Sequence, residues 1–156
     1  MKTVHASLEK LRIQIVRLPH AMGLELPSYQ TVGSVGMDLR AAVRDTCTIP
    51  PGQRKAIPTG LSIWVPSGFE AQVRPRSGLA ISNGILVLNS PGTIDSDYRG
   101  EIMVILGNLG GRDFSFSRGD RIAQLVVSPV VQVSWEEVEC LPHSSRASGG
   151  FGHTGR

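Results

Sequence analysis

A chain of 156 residues, 40% hydrophobic and 19% charged, can bury one core without disulfides or a structural metal and has the balance of an ordinary globular domain. Sixteen basic and 13 acidic residues leave a net charge of +3, which suits a phosphorylated small ligand but excludes the basic stripe of a nucleic-acid binder. Cys47 and Cys140 have no CxxC or zinc-ligand spacing and read as reduced thiols, while a polar N-terminus and the lack of a long apolar run predict a cytoplasmic protein with no signal peptide and no membrane partner.

In chain order, residues 1–10 hold little that could anchor them and are expected to form a flexible N-terminus. Leu11, Ile13 and Ile15 then alternate with Arg12, Gln14 and Val16, the period of a half-buried strand. GMDLRAA (36–42) places charges in a small-residue, strand-like run. After the turn signal Ile49-Pro50-Pro51-Gly52, Leu61, Ile63 and Val65 alternate, and beyond Val65-Pro66-Ser67-Gly68 so do Phe69, Ala71 and Val73. RPRSGLA (74–80) ends that strand and opens a short candidate helix over 78–83, with Ser77 as the expected N-cap and first-turn N–H groups free to hold an anion.

NSPGTIDSDYRG (89–100) sets two carboxylates and an aromatic in a turn-rich stretch between β-like runs. Further β-rich runs are read at 102–106, 121–127 and 130–135, with RGDRIAQL (118–125) placing Arg121 and Gln124 beside an apolar strand. Many short strands with Pro/Gly turns at this spacing predict one all-β domain, residues 11–141, as an antiparallel barrel or jelly roll. The tail, PHSSRASGGFGHTGR (142–156), has two readings from composition: a disordered terminus, or a mobile flap whose glycines approach phosphate, whose Phe151 stacks on a base and whose arginines fork onto phosphate oxygens.

The chain has neither a GxxxxGK[ST] phosphate loop nor a GxGxxG turn. Each segment above also has a purely structural explanation, since Asp and Asn are ordinary turn residues and Arg–Asp pairs are common on surfaces. Their order is more informative. GMDLRAA (36–42), RPRSGLA (74–80), NSPGTIDSDYRGEI (89–102), RGDRIAQLV (118–126) and RASGGFGHTG (146–155) resemble the five ordered motifs of the trimeric dUTPase family, over nearly all of the chain from Leu11 onward.

That resemblance implies a dUTPase-like jelly-roll β-barrel, assembled as a homotrimer with shared sites, whose C-terminal arm (142–156) closes over the active site. The implied activity is hydrolysis of dUTP to dUMP and pyrophosphate by water attack on the α-phosphorus. It keeps uracil out of DNA and supplies dUMP for thymidylate synthesis. The implied cofactor is Mg2+, held mainly by substrate phosphates and water, with Asp38 reaching it through water. Matched by position, Asp95 is the catalytic base that activates the water. Asn89, with neighbouring Thr93 and Ile94 and with Met103, holds uracil, and Tyr98 packs under the sugar where a 2′-hydroxyl would sit.

Arg76, Ser77, Gly78 and Gln124 match phosphate-chain contacts donated by a neighbouring subunit, and Arg121 assists in ordering the site. Arg146 matches the contact to the terminal phosphate, and Phe151, followed by Gly152, the ring that stacks on uracil. Three positions depart from the family pattern: Ala147 where Gly is usual, His153 where Ser is common, and Thr93 where an apolar residue is frequent. His5, His20 and His143 are scattered and read as structural or solvated. Two other readings use the same pocket: a dCTP deaminase of the same superfamily, and a non-catalytic dUTP sensor that signals to a protein partner.

Overall fold

Strand β1 (Gln14–Arg17) opens the chain described by the computed structural model, which covers residues 11–150. A 3-10 turn at Pro19–Ala21 follows, then β2 (Met37–Arg40), β3 (Cys47–Ile49), β4 (Arg54–Pro58), β5 (Leu61–Trp64) and β6 (Phe69–Arg74). Helix α1 (Ser77–Asn83) separates these from β7 (Ile85–Val87), β8 (Gly92–Ile94), β9 (Met103–Asn108), β10 (Phe114–Phe116) and β11 (Arg121–Pro129). Every ladder is antiparallel, in four sheets: β2-β11-β6-β8, β4-β9-β7, β1-β5 and β10-β3.

The alternation read from sequence sets these faces. Leu61, Ile63 and Val65 are buried while Trp64 is exposed, and Ala71 and Val73 are buried between half-exposed neighbours. All four sheets feed one core cluster that joins Leu39, Ile49, Ile57, Ile63, Val73, Val104, Phe116 and Leu125. Fully burying such an aliphatic side chain contributes roughly 1.5–3 kcal/mol. That cluster is the core of the all-β fold expected. No helix among the described residues is long and apolar enough to cross a membrane. Cys47 and Cys140 are free thiols.

Three local expectations are corrected. Leu11 lies outside β1 and is exposed, so the first run contributes only Ile13 and Ile15 to the core edge. The residue preceding α1 is Arg76, with no side-chain cap, and Ser77 is already helical; the extended backbone before the helix comes from the strand that feeds it. Residues 130–135 form no strand. Val130 N–H still donates to Gly68 O at 2.9 Å, but beyond it the segment joins no ladder among the described residues, and Val131, Val133 and Trp135 are exposed.

Helix α1 ends on Gly84, which takes the left-handed conformation (φ 68°) and donates its N–H to Ala80 O at 3.0 Å. A Cβ there would stand 2.6 Å from Gly110 N, so glycine is needed for both backbone angle and close approach. The turn that receives it is fixed by Asn108, 1% exposed. Its Nδ2 donates to Ile49 O and Arg112 O, each at 2.8 Å, and its Oδ1 accepts Gly110 N–H at 2.8 Å. Asn108→Ala removes the partner of the buried Ile49 O and of two part-buried groups, Arg112 O and Gly110 N–H, at about 1–3 kcal/mol for each one left unsatisfied. The urea midpoint at fixed protein concentration is expected to fall accordingly; a midpoint equal to the parent's would show that water replaces the amide.

Candidate active site

The stretch 89–103 folds into a hairpin-like excursion from β7 through β8 to β9. It encloses a cavity of about 130 Å³, room for roughly four waters at ~30 Å³ each, or one small ring. Asn89, Gly92, Thr93 and Ile94 line it on one arm, Tyr98, Glu101, Ile102 and Met103 on the other, with Val73 of β6 completing it. Gly92 keeps this corner tight: a Cβ would sit 3.0 Å from Asn89 Nδ2 and 3.4 Å from Val73 Cβ and would press on the Asn89 amide. Because β8 is the end strand of its sheet, the backbone edge it turns away from β6 is left open for other partners.

The turn beyond β8 braces itself. Tyr98 N–H donates to Asp95 O at 3.2 Å, and Arg99 NH1 to Ser96 O and Tyr98 O at 2.7 and 2.8 Å. The Tyr98 ring folds over Gly100, where a Cβ would overlap its hydroxyl, and that hydroxyl donates to Glu101 O at 2.9 Å. Asp95 is exposed at the end of β8. It faces a wider cleft of about 490 Å³, shared with Glu70, Ser96, Asp97 and residues 130–132, rather than the small cavity.

A second cluster lies across the same sheet. Asp38 of β2 is flanked by two guanidiniums, Arg76 Nε at 2.9 Å from Oδ1 and Arg121 NH1 at 3.2 Å from Oδ2. Arg76 NH1 also donates to Arg121 O at 3.1 Å. Gln124 Nε2 donates to Pro75 O at 2.8 Å, and Gly36 leaves the space its Oε1 occupies. Ser77 and Gly78 are exposed at the first turn of α1. Ladder register aligns the groups: Asp38 opposes Gln124, Gln124 opposes Arg74, and Val73 opposes Gly92. Asp38, with only 17% of its side chain exposed, balances one of the two arginines.

Of the residues singled out from sequence, Asn89, Thr93, Ile94, Tyr98 and Met103 thus meet around one cavity, and Asp38, Arg76, Arg121 and Gln124 in one polar cluster. Asp95 touches the cavity group only through its backbone carbonyl, which accepts Tyr98 N–H; among the described residues its carboxylate has no hydrogen bond or ion pair to either group. Arg146 is held within its own turn, Nε to Gly149 O at 2.9 Å. Ala147 in that turn has φ 44°, a left-handed angle that glycine, usual there in the family, takes without the Cβ penalty. Phe151 and Gly152 lie outside the described residues, as does His153.

Glu101 and Val73 line the cavity without having been singled out. Glu101 sits inside the third motif string but carries no local mark of its partner His20, 81 residues away. Among the described residues no group of three or more His, Cys, Asp or Glu could cage a metal.

A family model described as dUTPase matches residues 23–155. The deoxyuridine 5'-triphosphate nucleotidohydrolase of Anaplasma marginale is 55% identical over 145 residues, covering 93% of this chain and 99% of that protein. The one from Rhizobium rhizogenes is 52% identical over 155 residues, covering 98% and 99%. Among solved structures, a mutant dUTPase of Staphylococcus bacteriophage 80alpha with dUpNHpp superimposes with a TM-score of 0.84 at 20% identity, covering 94% of this chain and 100% of that chain. The dUTPase of phage phi11 of S. aureus, described with a structural Mg(II) ion, gives 0.73 at 20% identity over 83% and 97%. The fold is therefore that of these proteins, and this chain belongs to the dUTPase family.

Proposed function

We propose that the chain hydrolyses dUTP to dUMP and pyrophosphate, with uracil in the 130 Å³ cavity and the triphosphate on the arginine–glutamine cluster. The ring-sized cavity at an open strand edge is the observation that carries this reading. Uracil offers one N–H donor between two carbonyl acceptors. The backbone edge of β8 and the Asn89 amide can meet that pattern, but an amide alone can rotate to suit cytosine. The fixed backbone groups, held in register by the β6–β8 ladder, supply the discrimination. Such a site rejects a base with the wrong hydrogen-bond pattern far better than an apolar pocket rejects an extra methyl, which is worth about 1–3 kcal/mol. Thymine is excluded by the methyl and the limited volume together. Tyr98 packs beneath the sugar and leaves no place for a 2′-hydroxyl.

Asp95 is the base: an exposed carboxylate just past the end of β8, one residue beyond the cavity-lining Ile94, can orient and deprotonate a water aimed at the α-phosphorus. Arg76, Ser77, Gly78 and Gln124 hold the phosphate chain, Arg121 orders Arg76 through Asp38, and Arg146 and Phe151 close over the bound nucleotide. Gly152 lets that arm lie close to it. The residues fit a Mg2+ carried on the substrate's own phosphates rather than in a protein cage, because both oxygens of Asp38 already serve arginines and can reach an ion only through water. When bound, the ion supplies charge neutralisation for the triphosphate.

The family's trimer belongs to this reading. Among the described residues no hydrogen bond or ion pair joins Asp95 to Arg76 or Gln124, and residues 131–141 leave the barrel with Val131, Trp135 and Leu141 exposed. Both features are accounted for if each site is completed by another copy and the departing segment pairs there.

Asp95→Asn is expected to bind a non-hydrolysable dUTP analogue with near-parental affinity while kcat falls by roughly 100- to 10,000-fold; near-parental turnover would assign the base elsewhere. Removal of residues 146–156 should leave a particle that sediments as three copies, with activity reduced on the order of 100-fold through loss of closure. A monomeric product would give the tail a structural role instead. Pyrophosphate release from dUTP, set against ammonia release from dCTP, separates this reading from a deaminase, and dUTP binding without turnover would mark a sensor.

A further inference from the structure

One part-buried histidine–carboxylate hydrogen bond next to the base cavity has no part in the chemistry above. His20 Nε2 donates to Glu101 Oε1 at 2.8 Å, and the same oxygen accepts Gly60 N–H at 2.6 Å. Glu101 lines the cavity, and its backbone carbonyl is the acceptor for the Tyr98 hydroxyl at 2.9 Å. Its carboxylate therefore anchors the residue on which Tyr98 rests. Both side chains are largely buried, 31% and 23% exposed, so the bond is charge-assisted in a poorly solvated place.

His20 is itself delivered by a fixed turn. Leu18 N–H donates to Gly60 O at 2.8 Å, and Arg118 donates to His20 O at 2.6 Å and to Met22 O at 2.9 Å. Ala21 is fully buried against Gly60, where a Cβ would overlap Ala21 Cβ. On the far side, Thr59 Oγ1 donates to Ile102 O at 2.7 Å and Ile102 N–H to Leu61 O at 2.8 Å. The 3-10 turn, the 59–61 corner and residues 101–102 are thereby locked together, and Glu101 is where that lock meets the Tyr98 turn.

We propose that His20 is a positioning residue for sugar selection: by holding Glu101 it fixes the height of the Tyr98 ring and so how strictly the site rejects a ribose 2′-hydroxyl. This rests on the reading of Tyr98 as the wall beneath the sugar. Without His20, Glu101 keeps only the Gly60 N–H, and the 98–101 turn gains freedom in the direction a 2′-hydroxyl would push it. Discrimination by excluded volume requires a wall that does not yield.

The test is the ratio of kcat/KM for dUTP to that for UTP in the full-length protein, for the parent and for His20→Ala, His20→Gln and Tyr98→Ala. The main-chain bonds from Arg118 remain in His20→Ala, so the turn stays docked. Its ratio is expected to drop roughly tenfold, the worth of one hydrogen bond to a charged group, through a rise in UTP turnover. His20→Gln, which returns an N–H donor at similar reach, should recover most of the ratio, whereas a loss of packing alone would not be rescued that way. A His20→Ala ratio equal to the parent's, or equal losses on both nucleotides, overturns the link while a collapsed ratio in Tyr98→Ala leaves the sugar wall standing. An unchanged ratio in Tyr98→Ala removes the sugar wall itself and the inference with it.

Discussion

Strand β6 pairs with β8 on one side and β11 on the other, and its register in both ladders sets the site. Successive side chains on a strand point to opposite faces, so a slip of one residue would take Val73 out of the cavity and core together. It would also move Gln124, which opposes Arg74, away from Pro75 O and Arg76. What pins the register is burial: Ala71 and Val73 face the core beside Leu125 and Ile94, and exposing them would forfeit roughly 1.5–3 kcal/mol for each large side chain turned outward. The small cavity and the arginine–glutamine cluster, where the nucleotide is proposed to bind, are thus held in relation by the apolar packing of one strand, with Val73 shared between core and cavity.

Much of this was legible beforehand because the carrier of the information is local. Alternation at Leu61–Val65 and Phe69–Val73 fixes strand faces within a few residues, and turn residues mark where strands end. Site residues Asn89, Tyr98 and Gln124 were found through an ordered set of motifs, not through any physical rule about single residues. Long-range partners lay beyond both routes. Nothing near His20 announces Glu101, and nothing near Asp38 announces that two arginines, 38 and 83 residues on, converge on it.

The segment read as a strand at 130–135 has the right composition, but strand propensity expresses itself only where a partner edge exists. Val131 and Trp135 are exposed for that reason. An exposed apolar run on an unpaired segment invites association. In the proposed trimer the same run is useful, since burying it adds an interface to the completion of the site. The sequence pattern records what the segment prefers and carries no information on whether a partner edge is within reach.

Asp38 shows how the anion cluster manages its charge. Two guanidiniums free to move would attract triphosphate more strongly at long range, but each would have to be ordered on binding, at about 0.5–1.5 kcal/mol per rotamer-rich side chain. The structure instead seats Arg76 between Asp38 and Arg121 O. The carboxylate forgoes part of the attraction, yet it leaves the Arg76 fork aligned for the phosphate oxygens it is proposed to meet. For a reaction whose catalysis consists largely of positioning, alignment outweighs raw potential. A net charge of only +3 agrees with a site that recognises its anion by geometry more than by field.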